Sequence, residues 1–224
     1  MLDRLDSISP AGGSGQRPSF PEFQLHSQDY LNFAEQELEA FLGNSGDWSS
    51  NSRLINCIAH LKRAMDCQLD TSLHVFNLYK VFNSRNLKIE KKLDFLTAAG
   101  VVSTRTLRRL NTIRNQMEHS YEIPRLHDIE LYFDIISSFV AVLQRTVLLT
   151  SISNTQFEIL DDTDNLSGIL EIEYKFDIPS IKIAWNIGTD NTKMSSDMDD
   201  PVKFAFFCES LYYLIRSKLL RAPD

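Results

Sequence analysis

From residue 27 onward the apolar positions recur at spacings of three and four. Tyr30, Leu31, Phe33, Ala34, Leu38, Phe41 and Leu42 form one stripe, and Gly43 follows as a stop, which predicts a first amphipathic helix from Ser27 to about residue 42. After a polar turn over 43–52, Leu54, Ile55, Ile58, Leu61, Met65, Leu69, Leu73 and Phe76 predict a long second helix running to about residue 80. Leu87 to Ala98 carries Ile89, Leu93 and Leu96, and Gly100 closes this third, short helix with the residue that best tolerates a left-handed cap. Ser103 is a good N-cap for a fourth helix from Thr104, with Leu107, Leu110, Ile113 and Met117 as its stripe, fading before Pro124. A fifth, from Leu126 to Leu149, is apolar over a broad face.

After residue 150 the period changes from 3.6 to 2. Leu170, Ile172, Tyr174 and Phe176 alternate with Glu171, Glu173 and Lys175, and Ile181, Ile183, Trp185 and Ile187 alternate with Lys182, Ala184 and Asn186. With Phe157–Leu160 as a third strand and turn-like linkers between, an antiparallel meander is expected. Residues 190–200 read as an acidic loop, and 202–221 as a final helix covering the sheet or returning to the helices. At the other end, residues 9–22 are dense in Pro, Gly and Ser and read as part of a flexible N-terminal arm over 1–24. The expected organisation is that arm, a helical bundle over 25–150, and a strand-containing appendage over 151–224 packed on the bundle.

Composition narrows the function classes. The chain has 224 residues, 43% of them hydrophobic and 24% charged, the balance of a globular protein with a packed core. A net charge of −7 opposes charge-driven coating of nucleic acid, so a polyanion would need a local basic patch. Cys57, Cys67 and Cys208 form no C-x-x-C pair and are odd in number, which indicates buried thiols rather than a disulfide framework or zinc knuckle. The first residues lack the apolar run of a secretory signal, and Ile129–Leu149 is interrupted by Glu130, Asp134, Gln144 and Arg145, so a cytoplasmic protein without a membrane partner is expected.

Between Ser103 and Met117 stand Arg105, Arg108, Arg109 and Arg114 with no acid among them, the one concentrated positive segment. Guanidinium groups suit phosphate because their planar donors bind bidentately and stay charged at any ordinary pH. The alternative is a solvated helix face whose arginines pair with acids of neighbouring helices. The segment ends in Arg114-Asn115-Gln116-Met117-Glu118-His119-Ser120-Tyr121. Here the chain resembles the HEPN family, marked by an Arg followed after four to six residues by a His, often with a polar residue after the Arg. The added Tyr is similar to the version in HEPN toxins of toxin–antitoxin pairs.

Over residues 27–150 the resemblance implies a mainly α, HEPN-like bundle of four to five helices, to which the small β-meander and final helix are appended. It implies an endoribonuclease, a toxin or antiviral-defence effector, that needs no metal or cofactor and cleaves RNA by attack of its own 2′-hydroxyl. His119 would move the proton, since imidazole titrates nearest neutrality, and Arg114 would stabilise the phosphorane. Asn115 would orient either side chain or bond a phosphate oxygen. Tyr121 would contact RNA, or be the tyrosine that a nucleotidyltransferase partner modifies with AMP; an antitoxin is the other implied partner.

Positions five apart on a helix differ by about 140°, so Arg114 and His119 do not share a face whereas Asn115 and His119 nearly do. Either the helix loosens before His119 or the site is completed across a two-fold axis, and a homodimer is expected. Other readings remain open: His119 as a helix C-terminal residue favoured by the macrodipole, Arg114 as a salt bridge, or the whole chain as a non-catalytic HEPN module binding nucleotide, RNA or a partner protein. His60 with Lys62 and Arg63 reads as a solvated polar face, and the aromatic residues of 204–213 as core. His26, His60, His74, His119 and His127 have no partner at zinc-ligand spacing.

Overall fold

The computed structural model describes residues 8–14, 19–43, 48–84, 88–103, 105, 125–150, 154–160, 165–197 and 199. They hold five helices, α1 (Ser27–Gly43), α2 (Trp48–Val75), α3 (Tyr79–Ser84), α4 (Ile89–Ala98) and α5 (Leu126–Thr150). They also hold five strands, β1 (Ile8–Ser14), β2 (Asn154–Leu160), β3 (Leu166–Lys175), β4 (Ser180–Ile187) and β5 (Asp190–Asp197). The chain divides into two compact units, one of residues 20–74 and 102–145, the other of 1–19, 75–101 and 146–224.

In the helical unit, α1 starts from a reciprocal cap. The Asp29 carboxylate accepts the His26 backbone N–H at 2.8 Å while the His26 carbonyl accepts the N–H of Asp29, so an otherwise unpaired donor at the helix start is satisfied. α1 runs antiparallel to α2. Ser27 Oγ donates to Gln68 Oε1 at 2.7 Å in the buried layer, and at the other end Arg53 reaches Glu37 at 3.5 Å. Leu31 and Ala34 of α1, Leu54, Cys57, Leu61, Ala64, Met65 and Leu69 of α2, and Ile129, Tyr132, Ile136, Phe139, Val140 and Leu143 of α5 are buried. Among the described residues Leu126–Leu148 is long and apolar enough to cross a bilayer by composition, but its inward face is buried as that of a core helix is.

The second unit is built on an antiparallel sheet in the order β1-β2-β3-β4-β5. Phe157, Ile159, Leu170, Ile172, Tyr174, Ile181 and Ile183 are buried, the alternate positions that the period-2 pattern marks. Ile187 pairs with Asp190 across a two-residue turn in which Gly188 takes φ 57, the conformation a tight hairpin asks of its first central residue. α3 and α4 belong to this unit, with Phe82 and Phe95 edge to face at 5.6 Å. Gly100, at φ 71, ends α4 as predicted, and the Val101 N–H returns to the Leu96 carbonyl at 2.9 Å.

Several expectations are corrected. The fold is α+β, not a mainly α, HEPN-like bundle with a small appendage: the described residues hold a five-stranded sheet as well as five helices, the sheet takes strands from both ends of the chain, and 75–101 groups with it. The segment read as a flexible arm contains β1, which pairs antiparallel with β2 from Ile8↔Ile159 to Ser14↔Asn154. The acidic loop is β5, an edge strand whose polar side chains suit solvent and whose order comes from its backbone ladder to β4. The long second helix stops at Val75 because Asn77 enters the left-handed region at φ 54, where its Nδ2 donates to the carbonyls of Phe176 at 2.8 Å and Asp177 at 3.1 Å. The predicted fourth helix, Arg105 apart, and the final helix at 202–221 lie outside the described residues.

Candidate functional site

Arg105, the described residue of the arginine segment, is helical and exposed. Arg108, Arg109, Arg114, Asn115, His119 and Tyr121 lie outside the described residues. The chain is described again at Arg125, whose carbonyl accepts the N–H groups of Asp128 at 3.0 Å and Ile129 at 3.2 Å and so opens α5. Arg125 and His127 are exposed there, just past the motif.

His60 is not on a solvated polar face. It lies half-buried on α2 against α1, stacked on Tyr30 at 6.5 Å and edge to face with Phe33 at 5.5 Å, and its Nδ1 is buried without a hydrogen-bond partner. This ring is a packing group: the aromatic residues three apart on α1 close over it, and helical spacing alone did not show that they would meet α2 there. His74 packs edge to face on Phe23 at 5.8 Å, and His26 is exposed. Among the described residues no group of three or more His, Cys, Asp or Glu side chains could hold a metal ion. Burial, with a smaller contribution from Glu37, pushes the Cys57 thiol up to about 12, so it stays a neutral thiol rather than a nucleophile. Partial burial also raises Cys67, whose Sγ lies 3.6 Å from the Leu25 carbonyl.

Two clefts open on the described surface. In the helical unit a cavity of about 280 Å³ lies between α1 and α5, lined by Gln28, Asn32 and Glu35 on one side and Phe133, Ser137 and Gln144 on the other. On the polar face of the sheet a wider groove of about 420 Å³ is lined by Asn154, Glu171, Glu173, Lys182, Ala184 and Lys193. Register puts Glu173 opposite Lys182, and Ala184 between Glu171 and Lys193, so acids occupy the β3 side and lysines the β4–β5 side. Such cross-strand opposite charges stabilise the sheet modestly, and the acidic side disfavours phosphate.

Comparisons with family models, curated proteins and solved structures found no match. What bears on function is therefore the chain's own chemistry: the arginine segment with its imidazole, and the sheet, whose β1–β2 edge carried no sequence signal because β1 lacks strand-like alternation.

Proposed function

We propose that the chain is a metal-independent endoribonuclease of HEPN type, acting in the cytosol as a homodimer. The observation that carries this reading is the octapeptide Arg114 to Tyr121 at the end of the one acid-free arginine stretch of a chain whose net charge is −7. The reading rests on that motif and not on fold class. Two structural facts support it: Arg105 is helical and open to solvent, and α5 begins at Leu126, directly after the motif and Pro124.

The reaction needs little beyond these side chains. An RNA 2′-oxygen attacks its neighbouring phosphorus, the bond to the 5′-oxygen breaks, and the products are a 2′,3′-cyclic phosphate and a 5′-hydroxyl. His119 takes the 2′-hydroxyl proton or delivers one to the leaving oxygen; a second His119 across the two-fold supplies the complementary role. Arg114 balances the added negative charge of the phosphorane, a task suited to a guanidinium that never deprotonates. Arg105, Arg108 and Arg109 bind flanking phosphates, Asn115 positions the site, and Tyr121 contacts RNA or receives AMP from a nucleotidyltransferase.

The test is cleavage of single-stranded RNA by purified protein in EDTA. His119→Ala and Arg114→Ala should each slow cleavage by about 10²–10⁴-fold, with unchanged circular dichroism and dimer mass. Activity equal to wild type in either variant overturns the assignment. RNA or nucleotide affinity that depends on Arg114, without cleavage, selects the non-catalytic binding module instead.

A further inference from the structure

Strands β2 to β5 form a meander in sequence order, and β1 is added to its open side from the other end of the chain. As a strand β1 is a poor one. Ile8-Ser9-Pro10-Ala11-Gly12-Gly13-Ser14 contains a proline, which has no N–H to donate, and two glycines, which offer no side chain and lose the most freedom on ordering. The register slips between Pro10 and Gly12.

β2 is left incompletely matched. Thr155 Oγ1 and Asn154 Oδ1 are buried with no hydrogen-bond partner, two of only four such side-chain atoms among the described residues, and Thr155 stands opposite Gly13. Glu158 stands opposite Ser9, and no ion pair among the described residues reaches its carboxylate. Buried acceptors without donors are a penalty that a better-matched neighbour removes.

We propose that the outer edge of β2 is a strand-acceptor site for an extended segment of a partner protein, and that Ile8–Ser14 is its displaceable cover. The register specifies the occupant. It is an antiparallel strand with β-branched apolar residues opposite Ile159 and Phe157, Lys or Arg opposite Glu158, and a hydroxyl or amide donor opposite Thr155. The chain's net charge of −7 also favours a basic segment. A second copy of this chain is a poorer occupant, because its own Ile8–Ser14 brings the same mismatches without the advantage that the tether gives the cover in its own chain. The proposal is independent of the ribonuclease reading.

The test uses the full chain carrying Cys67→Ser and Cys208→Ser, with Gly12→Cys and Gln156→Cys at register partners so that oxidation locks the cover. The probe is a fluorescent N-acetylated peptide, Val-Lys-Val-Thr-Thr-Asn-amide, and the readout is anisotropy. The reduced protein should bind it, the oxidised protein should bind at least about tenfold more weakly, and a peptide with Glu in place of Lys should lose about tenfold. A second variant without new cysteines, Pro10→Val with Gly13→Thr, strengthens the cover and should weaken peptide binding in the same direction. Equal binding by reduced, oxidised and strengthened-cover proteins overturns the proposal, as does no binding by the reduced protein up to about a millimolar peptide.

Discussion

Replacing Asn77 separates two physical effects that meet at one residue. Its φ of 54 lies in the left-handed region, which costs an alanine about 1–2 kcal/mol relative to ordinary helical backbone. Its Nδ2 also donates to the Phe176 carbonyl at 2.8 Å and the Asp177 carbonyl at 3.1 Å. The first bond is partly buried and should contribute about 1 kcal/mol; the second, exposed one less. Asn77→Gly removes both bonds but keeps the backbone at ease, so a loss of about 1–2 kcal/mol is expected. Asn77→Ala adds the left-handed strain, for about 2–4 kcal/mol in all. Asn77→Asp keeps the shape but turns a donor toward two carbonyls into a carboxylate, so it should fall below Gly at neutral pH; the carbonyls raise its folded pKa above the unfolded value, so stability should recover as pH falls toward about 4.

The chain has two tryptophans, and in a Trp48→Phe background Trp185 on β4 reports the sheet alone. Urea denaturation followed by Trp185 emission then reads the unit to which Asn77 belongs. Equal losses in Gly and Ala would refute the strain argument. An Asp variant as stable as wild type would refute the role of the donated bonds. Tyr174→Phe is the companion control: it deletes only the hydroxyl that donates to the Phe76 carbonyl at 2.9 Å and should cost about 1 kcal/mol.

A Cβ at Gly168 would stand against the Asn186 carbonyl oxygen and 3.0 Å from Ile187 Cα, both backbone of β4, so Gly168→Ala should destabilise the sheet by about 1–3 kcal/mol in the same Trp185 assay. Cys57 should resist alkylation at pH 8–9 in the native protein and react fully in urea. Its raised folded pKa means that the folded state holds the proton more tightly, so its contribution is intact below the unfolded value of about 8.5 and lost as pH rises toward about 12; Cys57→Ala should flatten that alkaline decline.

Helices with a buried stripe announced themselves because burial forces apolar residues to every third or fourth place, and α1 and α5 fall within a residue or two of their expected limits. The inner strands did so through strict alternation at Leu170–Tyr174 and Ile181–Ile183. Edge strands are under no such demand. β5, Asp190-Asn191-Thr192-Lys193-Met194-Ser195-Ser196-Asp197, is mostly exposed and is ordered by hydrogen bonds that any residue can make. β1 is hidden further, since proline and glycine are the usual marks of a turn. The break after Val75 was equally silent, because the apolar period runs on through Phe76 while the cause, two carbonyls of the β3–β4 turn, lies about a hundred residues away.

The same distinction governs the two proposed sites. Catalysis at a phosphodiester demands particular side chains at particular spacings, so Arg114 and His119 are legible in a string of letters even though their geometry lies outside the described residues. A strand-acceptor edge demands almost nothing of its own residues, because what it offers is the backbone N–H and C=O groups common to every sequence. It becomes visible only when the strand beside it is seen to be the wrong one: a proline set against Phe157, a serine against Glu158, and a glycine against Thr155, whose buried hydroxyl has no partner among the described residues.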